Sequence, residues 1–290
     1  MNFEEKLKSG KMVITSEIGP PKGTNIMPHI KEAEGIKDKV DAFNVTDLQS
    51  SVMHLGSLAT SRLLAERGLE PVFQITCRDR NRLALQSDLL SASVLGIRNV
   101  LVITGDHTVL GDHPQAKPVF DLDSVSLLKV ASGLMKGKDM VGNELDGIPE
   151  FFLGAVVNPG YEPQELQIMK MEQKIEAGAR FFQTQAVYDL TSFESFMKRV
   201  LPFGAPVLGG IVLLKSAGMA KFMNKNVAGV NIPDKYINMM AAADKKDRPK
   251  VSISIAAELI KGMKTLCSGI HIMSLGWEKY IPDVLEASGF

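Results

Sequence analysis

Eight short apolar runs, separated by turns and helical stretches, constrain the fold of this chain more than any other feature. The predicted strands occupy residues 12–18, 42–47, 71–77, 99–106, 151–159, 180–187, 205–214 and 269–275. Most of these runs are nearly continuous in Val, Ile, Leu and Phe, which is typical of parallel strands buried on both faces.

The segments between the runs have helical periodicity. Apolar residues recur on one stripe within 122–135, and 83–95, 163–178 and 250–265 behave similarly. Gly178 stands where a glycine commonly ends a helix. Strands that alternate with helices indicate a closed barrel or a doubly wound sheet, and the count of eight without a G-x-G-x-x-G after the first strand favours the barrel. We therefore predict an α/β chain in which residues 1–290 form a single (β/α)8 TIM barrel domain.

Charge and composition exclude several classes of protein. Lys+Arg and Asp+Glu number 33 each, so the basic excess of a nucleic-acid binder or a membrane-surface protein is absent. No segment approaches the ~20 apolar residues of a membrane-spanning helix. Cys77 and Cys267 have no CxxC partner, so we predict neither a disulfide framework nor a metal site. The N-terminus lacks an apolar signal core, and we expect a cytoplasmic protein. Zero net charge favours an oligomer or a hetero-complex.

Polar residues stand where the predicted strands end, and barrel active sites are built at the C-terminal ends of strands. These residues are Ser16, Glu17, Thr46, Asp47, Cys77, Arg78, Thr104, Gly105, Asp106, His107, Asn158, Thr184, Gln185 and Ser274. A carboxyl group among apolar strand residues can serve as a general acid, and Glu17 fits that description best. The alternative is a glutamate paired with Arg or Lys at the barrel rim.

The longest irregular region, 107–121, is rich in Gly, Pro and Asp, and such a loop is more often functional than idle. Asp106 just before it is either a catalytic carboxylate or the capping residue of a turn. His107 and His113 have no partner at a metal-binding spacing, which favours solvated loop histidines.

Motifs throughout the chain resemble those of the methylenetetrahydrofolate reductase family. TSEIGPPKG (15–23), FNVTD (43–47), VFQITCRDR (72–80) and ITGDH (103–107) are similar to its first four strand motifs. QKIEAGARFFQTQAVYD (173–189), GGIVLL (209–214), VNIP (230–233) and GIHIMSLG (269–276) are similar to its later ones. The motifs follow in the family's order nearly from end to end.

This resemblance implies a flavin enzyme that reduces 5,10-methylenetetrahydrofolate to 5-methyltetrahydrofolate. Glu17 matches the family's general acid, which protonates N10 of the folate. Asp106 matches the aspartate beside the flavin and the pterin, and Gln185 matches the glutamine that contacts the folate. The implied cofactor-binding residues are Thr46, Gln74, Thr104, Gly105, Asp106, Phe120, Asp121, Asn158 and Lys174.

The chain departs from the family pattern at several cofactor positions. Gln74 replaces a histidine, Thr104 an arginine, Phe120 a tyrosine and Gln167 an aspartate. Because the arginine lies near the flavin phosphates in the family, its loss favours FMN over FAD. Lys174 suits a phosphate contact on charge grounds, although a lysine on a helix is usually solvated.

The electron donor stays open between NAD(P)H and a partner subunit. Ala217 stands near the place of a family phenylalanine that packs on substrate or nicotinamide, in a stretch one residue shorter. The chain is also similar to short enzymes of acetogen-type one-carbon metabolism, in which a second subunit can carry metal or iron–sulfur sites.

Two further hypotheses compete with the reductase. The first is another barrel enzyme that binds a pterin or acts as an aldolase, which needs a Schiff-base lysine or a divalent metal. Lys215, at a strand end, is the nearest lysine to such a position. The second is a non-catalytic barrel subunit of a larger complex.

Overall fold

Eight parallel strands close into a barrel in the computed structural model, which describes residues 1–290. Each strand pairs with its neighbours in chain order, and the last pairs with the first. The strands are β1 Val13–Ile18, β2 Ala42–Val45, β3 Pro71–Thr76, β4 Asn99–Ile103, β5 Phe152–Val157, β6 Phe181–Ala186, β7 Val207–Val212 and β8 Gly269–Met273. The predicted (β/α)8 barrel and its eight strands are therefore confirmed.

Eleven helices precede, connect and follow the strands. They are α1 Phe3–Lys8, α2 Met27–Ile36, α3 Ser57–Ala65, α4 Arg82–Val94, α5 Ser124–Leu134, α6 Gln164–Glu176, α7 Leu190–Val200, α8 Ala217–Asn226, α9 Asp234–Ala242, α10 Arg248–Met263 and α11 Ile281–Ser288. The four helices predicted from periodicity are α4, α5, α6 and α10. None of the eleven combines the length with the apolar character that crossing a membrane requires.

The end of α6 shows why Gly178 was recognisable in the sequence. Gly178 adopts a φ of +117°, and a Cβ built there would lie 2.0 Å from the Ser132 hydroxyl oxygen. Only glycine takes this conformation without strain. The helix therefore ends here and the chain enters β6.

Side chains alternate between outward and inward positions along each strand. Outward residues such as Ile14 and Phe43 join a core of 62 buried residues that packs the strands against the helices. Inward residues at the N-terminal ends, including Val13, pack with Phe3 and Leu7 of α1. Helix α1 thus closes the N-terminal end of the barrel and leaves the opposite end for a site.

Aromatic rings fill that closed end. The Phe3 ring meets Phe152 and Phe181 edge-on at centroid distances of 5.9 and 5.1 Å, and Phe152 stacks on Phe181 at 5.0 Å. Gly154 leaves room for this packing, because a Cβ there would lie 2.2 Å from the Phe181 ring. The closed end is therefore tightly packed.

Candidate active site

Glu17 lies near the C-terminal end of β1 and faces the barrel interior, two residues beyond Thr15. The residue is 8% exposed. Its Oε2 accepts a 3.4 Å hydrogen bond from Gln49, and its Oε1 lies 3.6 Å from Nε2 of His271. The structure therefore gives Glu17 an amide and an imidazole as neighbours, and the alternative of a rim ion pair with Arg or Lys is not observed.

A cavity of about 290 Å³ opens beside Glu17 between β1, α2 and the end of β8. Its lining includes Glu17, His29, Glu32, Gln49, Leu275 and Glu278. The Glu278 carboxylate accepts 2.9 Å hydrogen bonds from the Ser274 hydroxyl and the Gly276 N–H, so its hydrogen bonds lie within the segment that follows β8. Glu17 is thus a buried carboxyl group that a small molecule can approach from the mouth of the barrel.

A chain of polar side chains crosses the barrel directly below Glu17. The Asn44 and Gln183 amides bond reciprocally at 2.7 and 3.0 Å. Gln183 Nε2 also donates to Thr15 Oγ1 at 3.4 Å, and Thr15 Oγ1 lies 2.9 Å from Nδ1 of His271. All four residues are at least 97% buried. The level of the barrel just below the site is therefore hydrogen-bonded, whereas the closed end is apolar.

Arg78 organises the loops around the mouth. The residue is 2% exposed and forms hydrogen bonds of 2.9 and 2.8 Å to the Asp79 carboxylate. It also donates to the Leu48 and Asp106 carbonyls at 3.2 Å each. Leu48 has a φ of +48°, and Ser50 and Ser51 share this left-handed region. Arg78 thus contacts both the strained turn that carries Gln49 and the segment that carries Asp106.

The predicted residues at the ends of β2, β3 and β4 differ in exposure. Thr46 and Gln74 are 3% and 6% exposed, whereas Thr104 and Asp106 are solvent-exposed. Gly105 has a φ of +89°, and a Cβ there would lie 3.2 Å from Thr76 and Arg78. The β4 end therefore lies against the end of β3 and presents its backbone and the Asp106 carboxylate at the mouth.

The long loop after β4 begins with His107, whose Nδ1 accepts a 3.3 Å hydrogen bond from the Val109 N–H. His107, and not Asp106, therefore caps the turn Thr108–Leu110. The His107 ring stacks on Phe120 at a centroid distance of 6.2 Å. His113 is exposed and lies 2.8 Å from the Asp112 carboxylate. No group of three or more His, Cys, Asp or Glu side chains is arranged to hold a metal ion.

Three other predicted residues are engaged within the chain. Asp121 forms a two-pronged ion pair with Arg82, with both contacts at 2.8 Å, and hydrogen bonds from Arg82 lower the pKa of this carboxyl to about 2. Asn158 donates to the Ala228 carbonyl at 2.8 Å, which leaves its Oδ1 buried and without a partner. The Gln185 Oε1 accepts from the neighbouring Ala186 N–H at 2.9 Å. A contact of the Asp121 carboxylate with a ligand requires an exchange of partners, whereas the Asn158 Oδ1 and the Gln185 NH2 group have no hydrogen-bond partner within the chain.

Lys174 is the cation among the predicted cofactor residues. Its Nζ donates to the Val156 carbonyl at 2.6 Å. Burial lowers the pKa of Lys174 to about 8, and the positive charge of Lys170, one turn earlier on α6, adds to this effect. An anion beside both ammonium groups would offset their repulsion.

The chemical types of these groups are those that a flavin needs. Gln74 and Asn158 supply amides, the β4 end supplies exposed backbone groups, and Lys174 supplies a cation. The unpartnered Asn158 Oδ1 is an acceptor that an N–H group of a ligand can satisfy. A ring system with donors, acceptors and one phosphate would use each kind of group.

Sequence reasoning missed His271, Asn44 and Gln183. His271 and Asn44 are single polar residues in the apolar stretches GIHIM and AFNV, and Gln183 is the first of three polar residues in FFQTQ; all three stand at inward positions. The register pairs His271 with Thr15, so these residues share one level of the barrel. A polar residue repeated at the same inward level on several strands is the signal that would have revealed them.

Comparison with known proteins decides the family. The family model described as methylenetetrahydrofolate reductase matches residues 2–289. The chain belongs to the methylenetetrahydrofolate reductase family. The resemblance noted from the motifs is therefore confirmed.

Relatives within the methylenetetrahydrofolate reductase family are distant. Methylenetetrahydrofolate reductase 2 of Schizosaccharomyces pombe is 24% identical over 98% of this chain and 46% of its own length. The 5,10-methylenetetrahydrofolate reductase of Pectobacterium carotovorum is 27% identical over 67% of this chain and 61% of its own. The chain thus spans about half the length of the first of these relatives.

A solved structure from Clostridium thermocellum has the same fold, with a TM-score of 0.65. It is 17% identical and aligns over 98% of this chain and 96% of its own. That protein is described as uncharacterized and as binding two copies of 5-methyl-5,6,7,8-tetrahydrofolic acid.

Proposed function

We propose that this chain reduces 5,10-methylenetetrahydrofolate to 5-methyltetrahydrofolate with a bound flavin and with Glu17 as the general acid. The observation that carries the proposal is the buried Glu17 carboxyl beside an open cavity, in a chain whose family match covers residues 2–289. The folate ligand of the Clostridium thermocellum neighbour supports the same substrate class.

The chain's own part in the reaction begins at Glu17. Its carboxyl group donates a proton to N10 of the folate, and the five-membered ring opens to an electrophilic iminium. Burial among strand residues excludes bulk water, so the proton is delivered to the bound substrate. The exposed Asp106 carboxylate on the same rim favours the positive charge of the iminium.

Gln185 orients the pterin in this proposal. Its Oε1 is satisfied by the Ala186 N–H, which leaves the amide NH2 group to donate to the substrate. A reduced flavin, when bound, would supply the hydride that reduces the methylene carbon.

We propose FMN as the flavin, held by Thr46, Gln74, Thr104, Gly105, Asp106, Phe120, Asp121, Asn158 and Lys174. Lys174 and Lys170 lie one turn apart on α6 and together suit one phosphate group. Thr104 is neutral and donates to the Ser124 hydroxyl at 3.2 Å, so it does not add the cation that a second phosphate would favour.

Anaerobic purification with natural partners, followed by an absorbance spectrum, tests the flavin. We expect a yellow protein, or one that takes up added FMN. Reduction with NADH, NADPH and reduced ferredoxin in turn then identifies the electron donor, including any partner subunit that relays electrons. A colourless protein that also fails to take up flavin would contradict the proposal.

The acid is tested by mixing the reduced protein with methylenetetrahydrofolate and following flavin reoxidation. We expect Glu17→Gln to bind flavin normally but to lose at least about 100-fold in this rate. Glu32→Gln is the matched control, because Glu32 lines the same cavity from α2. Unchanged reoxidation in Glu17→Gln would remove this residue from the mechanism.

A further inference from the structure

His271 is a buried histidine in the middle of β8, and its two ring nitrogens face different partners. Nδ1 lies 2.9 Å from Thr15 Oγ1, and Nε2 lies 3.6 Å from Glu17 Oε1. The residue is 3% exposed. A histidine between a hydroxyl group and a carboxyl group can act as donor or acceptor on either side, so its partners decide which nitrogen carries the proton.

The amides of Asn44 and Gln183, which lie below His271, limit the hydrogen bonds that the Thr15 hydroxyl can form. Asn44 Nδ2 donates to Gln183 Oε1, and Gln183 Nε2 donates back to Asn44 Oδ1. The second proton of Gln183 Nε2 points to Thr15 Oγ1 at 3.4 Å. Thr15 Oγ1 therefore accepts from Gln183, and its own proton is free to be donated to Nδ1 of His271.

This order of donors favours a neutral His271 with its proton on Nε2. With the Thr15 hydroxyl as the donor to Nδ1, that nitrogen presents its lone pair, and the Nε2–H group faces Glu17. A second proton on the ring would displace the Thr15 donor and reverse a network that is buried from end to end.

We propose that His271 is a positioning residue for Glu17: a neutral imidazole whose Nε2–H stabilises the carboxylate that remains after Glu17 gives up its proton. The inference rests on the proposed role of Glu17 as the acid. The proton passes from the Glu17 carboxyl group to N10 of the folate, and His271 gains and loses none.

The separation of 3.6 Å fits this assignment. An N–H group is attracted more strongly by a carboxylate than by a neutral carboxyl group, so the contact should shorten as negative charge develops on Glu17. A donor fixed in advance by Thr15 and Gln183 needs no reorganisation at that moment.

Other charged groups surround the pair. His29 and Glu32 of α2 and Glu278 after β8 line the same cavity as Glu17. Lys215, at the end of β7, donates to the Leu275 carbonyl at the rim of this cavity. A pH effect is therefore assigned to His271 only if Glu32→Gln and Lys215→Met do not reproduce it.

Two amide substitutions separate the two nitrogens of His271. The amide of His271→Gln can place an N–H near the position of Nε2, facing Glu17. The shorter amide of His271→Asn reaches only the position of Nδ1 and so retains the Thr15 contact alone. We measure the rate of folate-dependent flavin reoxidation against pH for both variants beside the wild type and Glu17→Gln.

We expect His271→Asn to bind flavin but to lose at least about 10-fold in the maximal rate. The alkaline limb of its pH profile should move to higher pH, because Glu17 without the N–H donor holds its proton longer. His271→Gln should leave the alkaline limb of the pH profile in place and retain most of the maximal rate. Equal losses in the two variants, or a lower rate with an unmoved limb, would indicate a packing role only and overturn the proposal.

Nitrogen NMR of the flavin-free protein gives a second readout that needs no activity. We expect the His271 ring to show a protonated Nε2 and an unprotonated Nδ1, and Thr15→Val to mix the two tautomers. A proton on Nδ1 in the wild type would overturn the assignment. If the wild-type protein fails to reduce methylenetetrahydrofolate, the proposed function fails, while the tautomer still tests the network.

Discussion

The ammonium group of Lys174 on α6 donates a 2.6 Å hydrogen bond to the carbonyl of Val156 in β5. Burial lowers the pKa of Lys174 from its usual 10.5 to about 8, with a further contribution from Lys170. The folded protein therefore holds a cation that its surroundings solvate poorly, as a site prepared for an anion would.

The stability of the flavin-free protein should increase with pH between about 8 and 10.5 through this group. In that interval the unfolded chain still binds the Lys174 proton and the folded chain has released it, so a rise in pH favours the folded state. We expect the difference in melting temperature between wild type and Lys174→Met to change across this interval. A constant difference between the two proteins would show that Lys174 is solvated like an ordinary lysine.

Lys174→Met should also weaken FMN binding by about 10-fold while changing riboflavin binding little, because only FMN has a phosphate to lose the cation. Fluorescence titration with both flavins measures the two affinities. Lys136→Met, an exposed lysine just after α5, provides the control. If the affinities for FMN and riboflavin weaken equally, Lys174 does not contact the phosphate.

Arg80 and Arg82 form similar two-pronged pairs that should differ in their effect on stability. Arg80 binds Asp47 at 2.7 and 3.0 Å, and the Asp47 side chain is 0% exposed. Arg80→Met leaves that carboxylate buried without its cation, at a cost of about 3 kcal/mol in the free energy of unfolding. Arg82→Met breaks the exposed pair with Asp121 and should leave the denaturation midpoint nearly unchanged. Similar midpoints for both variants would contradict this difference.

The strands, four of the helices and the end of the barrel that carries the candidate site were predictable because these features follow from local patterns. Continuous apolar runs identified the strands, and barrel geometry then placed Glu17 and Asp106 at one mouth. The predicted strand 99–106 was too long: β4 ends at Ile103, since the chain turns at Gly105 with a φ of +89°.

The partners of individual side chains were not predictable. His271 and Thr15 are 256 positions apart in the chain, and only closure of the barrel makes them neighbours. Similarly, nothing in the local sequence indicates that Asp121 pairs with Arg82 or that Asn158 bonds to Ala228. Such contacts depend on the relative position of loops from different strands.

We expect Gly154 to contribute to the stability of the fold but to take no part in the chemistry. A Cβ there would lie 2.2 Å from the Phe181 ring at the closed end of the barrel. We expect Gly154→Ala to destabilise the protein by about 1–3 kcal/mol through overpacking. Gly35→Ala on α2, where a Cβ meets nothing within 4 Å, should instead stabilise it by about 0.5–1 kcal/mol. Denaturant unfolding of both variants tests this, and a harmless Gly154→Ala would mean that the aromatic cluster repacks.

Asp106 is one of several residues proposed to hold the flavin, and its loss should affect the folate half of the reaction most. Its carboxylate is exposed at the end of β4, and only its backbone carbonyl is engaged by Arg78. Asp106→Asn removes the negative charge that favours a cationic substrate and should slow folate-dependent flavin reoxidation by about 100-fold, with flavin affinity within a few-fold of wild type. Asp146→Asn makes the same change of charge on an exposed residue before β5, at the closed end of the barrel, and should leave the rate unchanged. Rapid mixing of reduced protein with methylenetetrahydrofolate measures both rates. If Asp146→Asn slows the reaction as much as Asp106→Asn does, the charge of Asp106 acts only through the general field of the protein, because a local effect requires its position at the mouth.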